Sequence, residues 1–195
     1  MDKSNGYDEI AERFIAERNP STGVAIVREW NLTLPENASV LDLGCGHGEP
    51  VARILMETGC RVFGVDASLR LLGEFRRRFP RAMAEHAAVE ESEFFERTFD
   101  GIIAWGLMFL VSAETQAVVS QKAARALQLG GRFLFTAPRE AVRWKDAITG
   151  RESISLGREK YRRILADAGL RLDGERNDEG GNHYYFASKG VRESM

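Results

Sequence analysis

The sequence predicts a single α/β domain in which helices cover both faces of a doubly wound, mainly parallel sheet. Short apolar segments alternate with helical segments of about ten residues, a pattern typical of repeated βαβ units. A glycine-rich turn joins the last two strand-like segments, so this pair is predicted to form an antiparallel hairpin at one edge. A chain of 195 residues with 44% hydrophobic residues is long enough to bury one such core.

The first helices are predicted from apolar residues at helical spacing. Ile10 and Phe14 share one face of a helix over 7–18, and Ser21 is a suitable N-cap for a second helix that ends near Trp30. We therefore expect a helical segment ahead of the first strand.

The central elements are predicted from apolar runs and from capping residues. Strand 39–43 is followed by a helix that Pro50 opens, because the first helical turn does not need the N–H that proline lacks. Ser68 and Ser112 are N-cap residues of later helices. Further strands are predicted at 61–66, 82–87, 99–105 and 132–137, with helices at 50–57, 68–79 and 112–127 and a short acidic helix or loop at 90–97.

The last part of the chain is predicted to contain a loop, a helix and the hairpin. The loop follows Pro138, and the helix over 158–168 is closed by Gly169. The hairpin strands are predicted at 171–176 and 183–187.

Composition excludes several classes of protein. The chain has 27 Lys+Arg and 29 Asp+Glu, and this balance gives no bulk attraction to nucleic acid or to an anionic membrane. Cys45 and Cys60 are too few for a disulfide scaffold or a zinc site built from cysteines. No apolar run approaches the ~18 residues of a membrane span, and the polar start predicts no signal peptide. We expect a cytoplasmic protein with no metal.

The loop after the first strand is the most informative motif. Gly44, Gly46 and Gly48 alternate just before a helix N-terminus, where glycine lets a ligand approach the backbone closely. Asp66 ends the second strand, where a carboxylate accepts hydrogen bonds from a ribose diol. The two features predict a nucleoside cofactor at the carboxyl ends of the strands.

Three details separate this loop from a dinucleotide-binding fingerprint. Glu49 occupies the place of the third glycine, and Asp42 precedes the loop, where its charge would repel a pyrophosphate. Glu90 adds a carboxylate after the third strand. A site with these three acids fits a ligand that carries an ammonium, a sulfonium and a nucleoside.

These residues match a known family. The sequence VLDLGCGHG at 40–48, followed by VFGVD at 62–66, resembles the cofactor-binding signature of class I S-adenosylmethionine-dependent methyltransferases. Segments 99–105 and 126–133 resemble its later motifs, and the resemblance covers about 40–138. It implies a seven-stranded sheet, S-adenosylmethionine as cofactor and S-adenosylhomocysteine as product. Residues 1–38 then form a helical cover like that of small-molecule members, 39–138 the cofactor-binding core, and 139–195 a substrate-side loop, helix and hairpin.

The resemblance also implies roles for individual residues. Asp42 and the backbone of the loop would hold the methionine part, Asp66 the ribose, Ala67 and Val89 the adenine edge, and Ala104 and Trp105 the methyl-bearing end. The cofactor-binding residues implied in this way are Asp42, Gly44, Cys45, Gly46, Gly48, Asp66, Ala67, Val89, Glu90, Ala104 and Trp105.

Candidates for catalysis and substrate binding rest on position alone. His183 starts the last strand, where it faces the substrate or packs in the hairpin, and Tyr7 closes over the cofactor or packs. Loops at this edge carry specificity, so the segment after Pro138 either binds an acidic or aromatic substrate or is a solvated connector. The candidate substrate residues are Arg139, Arg143, Trp144 and Tyr184.

The sequence favours a methyltransferase acting on a small molecule, as a monomer or homodimer. Segment 104–107 lacks the Asn/Asp-Pro-Pro-aromatic motif of enzymes that methylate DNA amino groups, and no nucleic-acid partner is expected. The alternatives are an NAD(P)-dependent oxidoreductase, an enzyme of the same fold that modifies RNA or protein, and a non-catalytic binder that uses the same pocket.

Overall fold

The structure is a computed structural model that describes residues 2–190. Its helices are α1 (Ala11–Glu17), α2 (Val24–Asn31), α3 (Val51–Glu57), α4 (Leu69–Arg78), α5 (Ala113–Ala126) and α6 (Arg158–Asp167). Its strands are β1 (Ser39–Leu43), β2 (Arg61–Asp66), β3 (Met83–His86), β4 (Phe99–Ala104), β5 (Leu127–Thr136), β6 (Ala141–Lys145), β7 (Glu152–Leu156), β8 (Leu170–Asn177) and β9 (His183–Lys189). Short 3-10 turns occur at Phe94–Glu96 and Met108–Leu110.

Seven strands form one twisted sheet in the order β3-β2-β1-β4-β5-β9-β8. The first five are parallel, and β9 runs antiparallel to both β5 and β8, which confirms the predicted sheet and its final hairpin. The strand order reverses between β1 and β4, so a crevice opens at their carboxyl ends.

Helices cover both faces of this sheet. One apolar cluster joins α2, α3 and α4 to one face around Trp30, and the other joins α5 and α6 to the opposite face around Tyr161. Alternation along β1 buries Val40 against the first cluster and Leu41 against the second. In residues 2–190, none of the helices is long and apolar enough to span a bilayer.

Strands β6 and β7 form a separate hairpin where the sequence predicted a loop. They pair antiparallel from Ala141 opposite Leu156 to Lys145 opposite Glu152. Their ladder is separate from that of the seven-stranded sheet. Most of β6 is exposed, so its sequence lacks the run of apolar residues that predicts a buried strand.

Two other boundaries differ from prediction. Strand β5 begins at Leu127 and continues through the paired glycines, because Leu127 pairs with Phe99 across a register shift. Helix α2 is capped by Gly23 in the left-handed region at φ 72°, and not by Ser21. The backbone N–H of Gly23 donates to Glu179 at 3.0 Å, which places this turn against the loop before β9.

Candidate functional site

A cavity of about 300 Å³ lies at the carboxyl ends of β1, β2 and β4. Its walls come from the loop after β1, the segment after β3, the segment after β4, the turn of the β6–β7 hairpin and residues 3–18. The predicted site residues that line it are Tyr7, Asp42, Gly44, Cys45, Gly46, Asp66, Ala67, Val89, Glu90 and Trp105.

The glycine loop shapes the floor of the cavity. Gly44 and Gly46 have φ of 70° and 53°, a region that side chains with a Cβ rarely adopt. A Cβ on Gly44 would lie 3.1 Å from Leu107 Cβ, so glycine keeps the loop close to the segment after β4. Gly48 serves packing instead: a Cβ there would lie 2.3 Å from the Phe79 ring.

Asp66 connects the end of β2 to this loop. One of its carboxylate oxygens accepts from the Gly46 N–H and the other from the Ser68 N–H, both at 2.7 Å. Burial raises the pKa of Asp66 in spite of these hydrogen bonds. Each oxygen keeps a lone pair for a ligand hydroxyl, because a carboxylate oxygen accepts two hydrogen bonds.

Asp42 is a buried acid that lacks a partner. Its side chain is 2% exposed, and its Oδ2 has no hydrogen-bond partner among the described residues. Burial, together with the neighbouring Asp66 charge, raises the pKa of Asp42 from 3.8 to about 8. A buried carboxyl of this kind favours a cationic ligand, which would restore its ionised form.

Arg18 brings the opposite charge into the same cavity. Its guanidinium lies 4.8 Å from the Trp105 ring centroid and 5.6 Å from that of Phe14, and burial lowers the pKa of the group. Its buried Nε has no partner among the described residues. Arg18 is not among the site residues predicted from sequence, although its spacing of four from Phe14 places both on one face of the helix predicted over 7–18.

Most of the buried side-chain polar atoms that lack a hydrogen-bond partner in residues 2–190 belong to residues that line the cavity. Five buried side-chain N or O atoms in residues 2–190 lack a partner, and three of them belong to Asn5, Arg18 and Asp42, which line this cavity. Buried polar groups in native proteins are almost always hydrogen-bonded. Two unpaired donors and one unpaired acceptor therefore indicate a polar ligand with both kinds of group.

Residues 2–18, which we call the N-terminal cover, close one side of the cavity. Lys3 Nζ lies 2.7 Å from Glu90 Oε1, and its hydrogen bond lowers the pKa of Glu90 although burial opposes the shift. The Asp8 carboxylate accepts from the Ser68 hydroxyl at 2.8 Å, at the N-terminus of α4. The cover is therefore tied to the ends of both β2 and β3.

The β6–β7 hairpin closes the cavity from another direction. Tyr7 OH donates to Asp146 Oδ2 at 3.3 Å, and Arg151 pairs with Asp2 at 2.9 Å. Burial and the Asp146 charge raise the pKa of Tyr7, so its hydroxyl stays protonated. Asp146 is not among the site residues predicted from sequence, because the sequence predicts a loop where this hairpin forms.

His47 is a neutral wall residue. It is 3% exposed and meets the Phe14 ring edge-on, with centroids 5.7 Å apart. Burial and the charges of Arg78 and Arg18 lower the pKa of His47 to about 4. Its imidazole is therefore uncharged at neutral pH.

Several predicted residues lie away from the described cavity walls. Ala104 is fully buried in the core, because it points into the face that carries α5. Arg143 is exposed and pairs with Glu152 at 2.6 Å across the hairpin. Trp144 stands behind the wall, with its ring 5.5 Å from that of Phe109, which does line the cavity.

The remaining candidates belong to the region of the last hairpin. Arg139 approaches Glu175 at 3.6 Å, and His183 Nε2 lies 3.0 Å from the same carboxylate. Tyr184 is buried, and its hydroxyl donates to Asp178 at 2.9 Å. The structure thus joins His183 to a surface cluster and Tyr184 to the core, and it places neither among the cavity walls.

Comparison with known proteins agrees with this geometry. Residues 40–131 match the family model described as a methyltransferase domain. An uncharacterized methyltransferase of Synechocystis is 33% identical over 104 residues, which cover 53% of this chain and 48% of that protein. A sarcosine/dimethylglycine N-methyltransferase of Halorhodospira halochloris is 27% identical over 114 residues, covering 55% and 40%. The matched part of the chain thus spans less than half the length of these curated relatives.

The fold has relatives among solved structures. The 1,6-didemethyltoxoflavin-N1-methyltransferase of Burkholderia thailandensis, solved with its substrate and S-adenosylhomocysteine, superposes with a TM-score of 0.72 at 17% identity. The match covers 94% of this chain and 84% of that one. Together, the domain match over residues 40–131, the sheet order and the glycine loop indicate a methyltransferase domain with a Rossmann-like fold.

Proposed function

We propose that this chain binds S-adenosylmethionine in the cavity and transfers its methyl group to a small-molecule acceptor. One observation carries the proposal: an unpaired acid, Asp42, and an unpaired base, Arg18, line the same cavity beside the glycine loop. The methionine part of the cofactor carries both an ammonium and a carboxylate. The charges of the cavity are therefore complementary to those of this ligand.

Different cavity residues would bind different parts of the cofactor. Asp42 would hold the ammonium, Arg18 the carboxylate, and Asp66 the ribose hydroxyls. The backbone of Gly44 and Gly46 permits close approach of the ligand. A dinucleotide fits less well, because a pyrophosphate would meet the Asp42 carboxyl with no described Lys or Arg in the loop itself.

The protein would act mainly through alignment and exclusion of water. When bound, the cofactor supplies an electrophilic methyl group on a positively charged sulfur that leaves as a neutral thioether. The N-terminal cover and the β6–β7 hairpin meet over the cavity through Tyr7 and Asp146, which shields the site from solvent. Two similar proteins are named as methyltransferases of sarcosine/dimethylglycine and of 1,6-didemethyltoxoflavin, which supports a small acceptor.

Calorimetry tests the cofactor assignment. We expect S-adenosylmethionine and S-adenosylhomocysteine to bind and NADH not to bind; binding of NADH alone would overturn the proposal. Arg18→Gln and Asp42→Asn should each weaken S-adenosylhomocysteine about 10- to 100-fold, since a hydrogen bond to a charged group contributes about 1.5–3 kcal/mol. Neither variant should change the affinity for 5′-methylthioadenosine, which lacks both the ammonium and the carboxylate.

A matched control, Arg13, lies in helix α1, which ends one residue before Arg18. Arg13 is exposed and pairs with Glu17 at 2.9 Å. Arg13→Gln should therefore leave both affinities unchanged. Equal losses in Arg13→Gln and Arg18→Gln would show that the effect is a general loss of charge.

The proposal extends to the state of the protein in the cell. Both cysteines are free and buried, which suits a reducing cytoplasm. We propose a monomer or homodimer in which residues 1–195 act as one methyltransferase domain.

A further inference from the structure

We propose that Asp146 and Tyr7 bind the amino group of the methyl acceptor, so that the substrate class is a small amine. This inference rests on the proposed function and adds the chemistry of the second substrate. Asp146 is an acidic residue of the cavity wall to which no part of the cofactor is assigned.

Asp146 is a buried carboxylate without a cation beside it. It is 9% exposed, and it lines the cavity from the turn of the β6–β7 hairpin. Within residues 2–190, no Lys or Arg nitrogen lies within the 4.0 Å of a salt bridge to it, since its neighbour Arg151 pairs with Asp2. A carboxylate buried in this way is stabilised by a cation that enters the cavity.

The hairpin turn fixes one oxygen of this carboxylate and leaves the other for a ligand. Asp146 Oδ1 accepts from Ile148 N at 3.0 Å, from Thr149 N at 2.7 Å and from the Thr149 hydroxyl at 3.1 Å. Among the residues that the structure describes, Oδ2 accepts only from Tyr7 OH, at 3.3 Å. Oδ2 and the Tyr7 oxygen each keep a lone pair, so the two atoms can accept from two of the three N–H donors of an ammonium.

The position of Asp146 separates it from the cofactor acids. Asp42 and Asp66 stand at the ends of β1 and β2, whereas Asp146 follows β6, in the hairpin that the chain inserts after β5. Strand β5 lies on the other side of the point where the strand order reverses. The cavity walls also include Phe109, which is backed by the Trp144 ring. An aromatic wall next to an acid suits the apolar body and the charged head of an amine.

Asp146 also accounts for the proton that such an acceptor must lose. An ammonium has no lone pair until one N–H bond breaks. The electron pair of that bond then stays on nitrogen, and the proton moves to Oδ2 of Asp146. Tyr7 OH holds this oxygen in place, and is a positioning residue in this step.

Binding of benzylamine in the presence of saturating S-adenosylhomocysteine tests the inference. Benzylamine is a cation at neutral pH, and benzyl alcohol is a neutral probe of the same shape. We expect benzylamine to bind about 10- to 100-fold more tightly than benzyl alcohol, and Asp146→Asn to abolish the difference. Calorimetry or NMR titration measures both affinities, without any need for turnover.

The variants are chosen to separate loss of the Asp146 charge from loss of structure. Asp146→Asn keeps the oxygen that accepts from Ile148 and Thr149, so the hairpin turn should fold as before. Glu152→Gln removes a carboxylate that is exposed on the same hairpin, and it should leave benzylamine binding unchanged. Tyr7→Phe should weaken benzylamine by a smaller factor than Asp146→Asn.

The outcomes separate this inference from the proposed function. Failure of S-adenosylhomocysteine to bind the wild-type protein overturns both. Normal S-adenosylhomocysteine binding with equal affinities for the two probes, with no benzylamine binding, or with no effect of Asp146→Asn overturns the amine assignment alone. Preferential binding of benzoate would assign the acceptor site to an anion instead.

Discussion

Asp42 shows how a single buried side chain links binding to stability. Burial and Asp66 place its pKa near 8 in the folded chain, against 3.8 for the free group. The folded state therefore binds more protons than the unfolded state between about pH 4 and pH 8. An acid in this position destabilises the ligand-free protein as the pH rises, and it regains favourable interactions when a cation arrives.

The prediction for Asp42 has two parts. The free energy of unfolding of the ligand-free protein should fall as the pH rises from about 4 to about 8, and Asp42→Asn should flatten this fall. At pH 7, S-adenosylhomocysteine should release a proton on binding to the wild type and not to Asp42→Asn. Denaturant titrations and calorimetry in buffers of different ionisation enthalpy measure these quantities; identical pH profiles for the two proteins would contradict the assignment.

At the scale of elements, α4 connects the cofactor loop to the N-terminal cover. Ser68 caps α4 by accepting from Leu71 N at 3.1 Å, and its hydroxyl donates to Asp8 of the cover. Ser112 caps α5 in the same way by accepting from Thr115 N at 3.2 Å, but it is exposed and lies away from the cover. The two caps form a natural pair for separating helix stability from ligand binding.

Removing either cap should destabilise the fold by a similar amount. Ser68→Ala and Ser112→Ala should each cost about 1 kcal/mol of unfolding free energy, the usual cost of losing an N-cap. Only Ser68→Ala should also weaken S-adenosylhomocysteine binding, because it removes one of the two hydrogen bonds that hold the Asp8 carboxylate at α4 and so loosens the cover. Urea unfolding and calorimetry compare the two, and an equal loss of affinity in both variants would count against a binding role for the cover.

At the scale of the whole molecule, ligand binding should order the segments around the carboxyl ends of the parallel strands and leave the rest of the fold unchanged. The cavity walls include residues 3–18, the loop after β1 and the turn of the β6–β7 hairpin, whereas β8 is the last strand at one side of the sheet. Hydrogen exchange followed by mass spectrometry should therefore show slower exchange in these three segments on addition of S-adenosylhomocysteine. Strands β8 and β9 should exchange as before, and protection confined to them would contradict the location of the site.

Local patterns predicted most of this architecture, and long-range contacts explain what they missed. The order of strands and helices follows from apolar periodicity and from caps such as Ser68, both of which are encoded within a few residues. Arg18 and Asp146 are not predicted from sequence because a residue distant in the chain places each of them at the cavity. Arg18 packs on the Trp105 ring, and Asp146 accepts a hydrogen bond from Tyr7. Patterns among neighbouring residues do not show that two segments distant in the chain meet over a cavity.

The glycine loop and the hairpin illustrate the same difference within the site. Gly44 and Asp66 were recognised because their chemistry depends on position after a strand. Position alone makes Arg143 and Trp144 substrate candidates, but the structure places Arg143 in an exposed ion pair and Trp144 behind the cavity wall. Burial, which sequence alone does not report, decides which side chain of a hairpin reaches a ligand.

The isolation of the β6–β7 ladder has a consequence for how such proteins diversify. Because these strands exchange backbone hydrogen bonds with each other and not with the central sheet, the hairpin can be lengthened, shortened or replaced without disturbing the strands that carry the cofactor acids. A new hairpin grafted between β5 and α6 should therefore change the acceptor that the proposed methyltransferase takes and leave its proposed methyl donor the same.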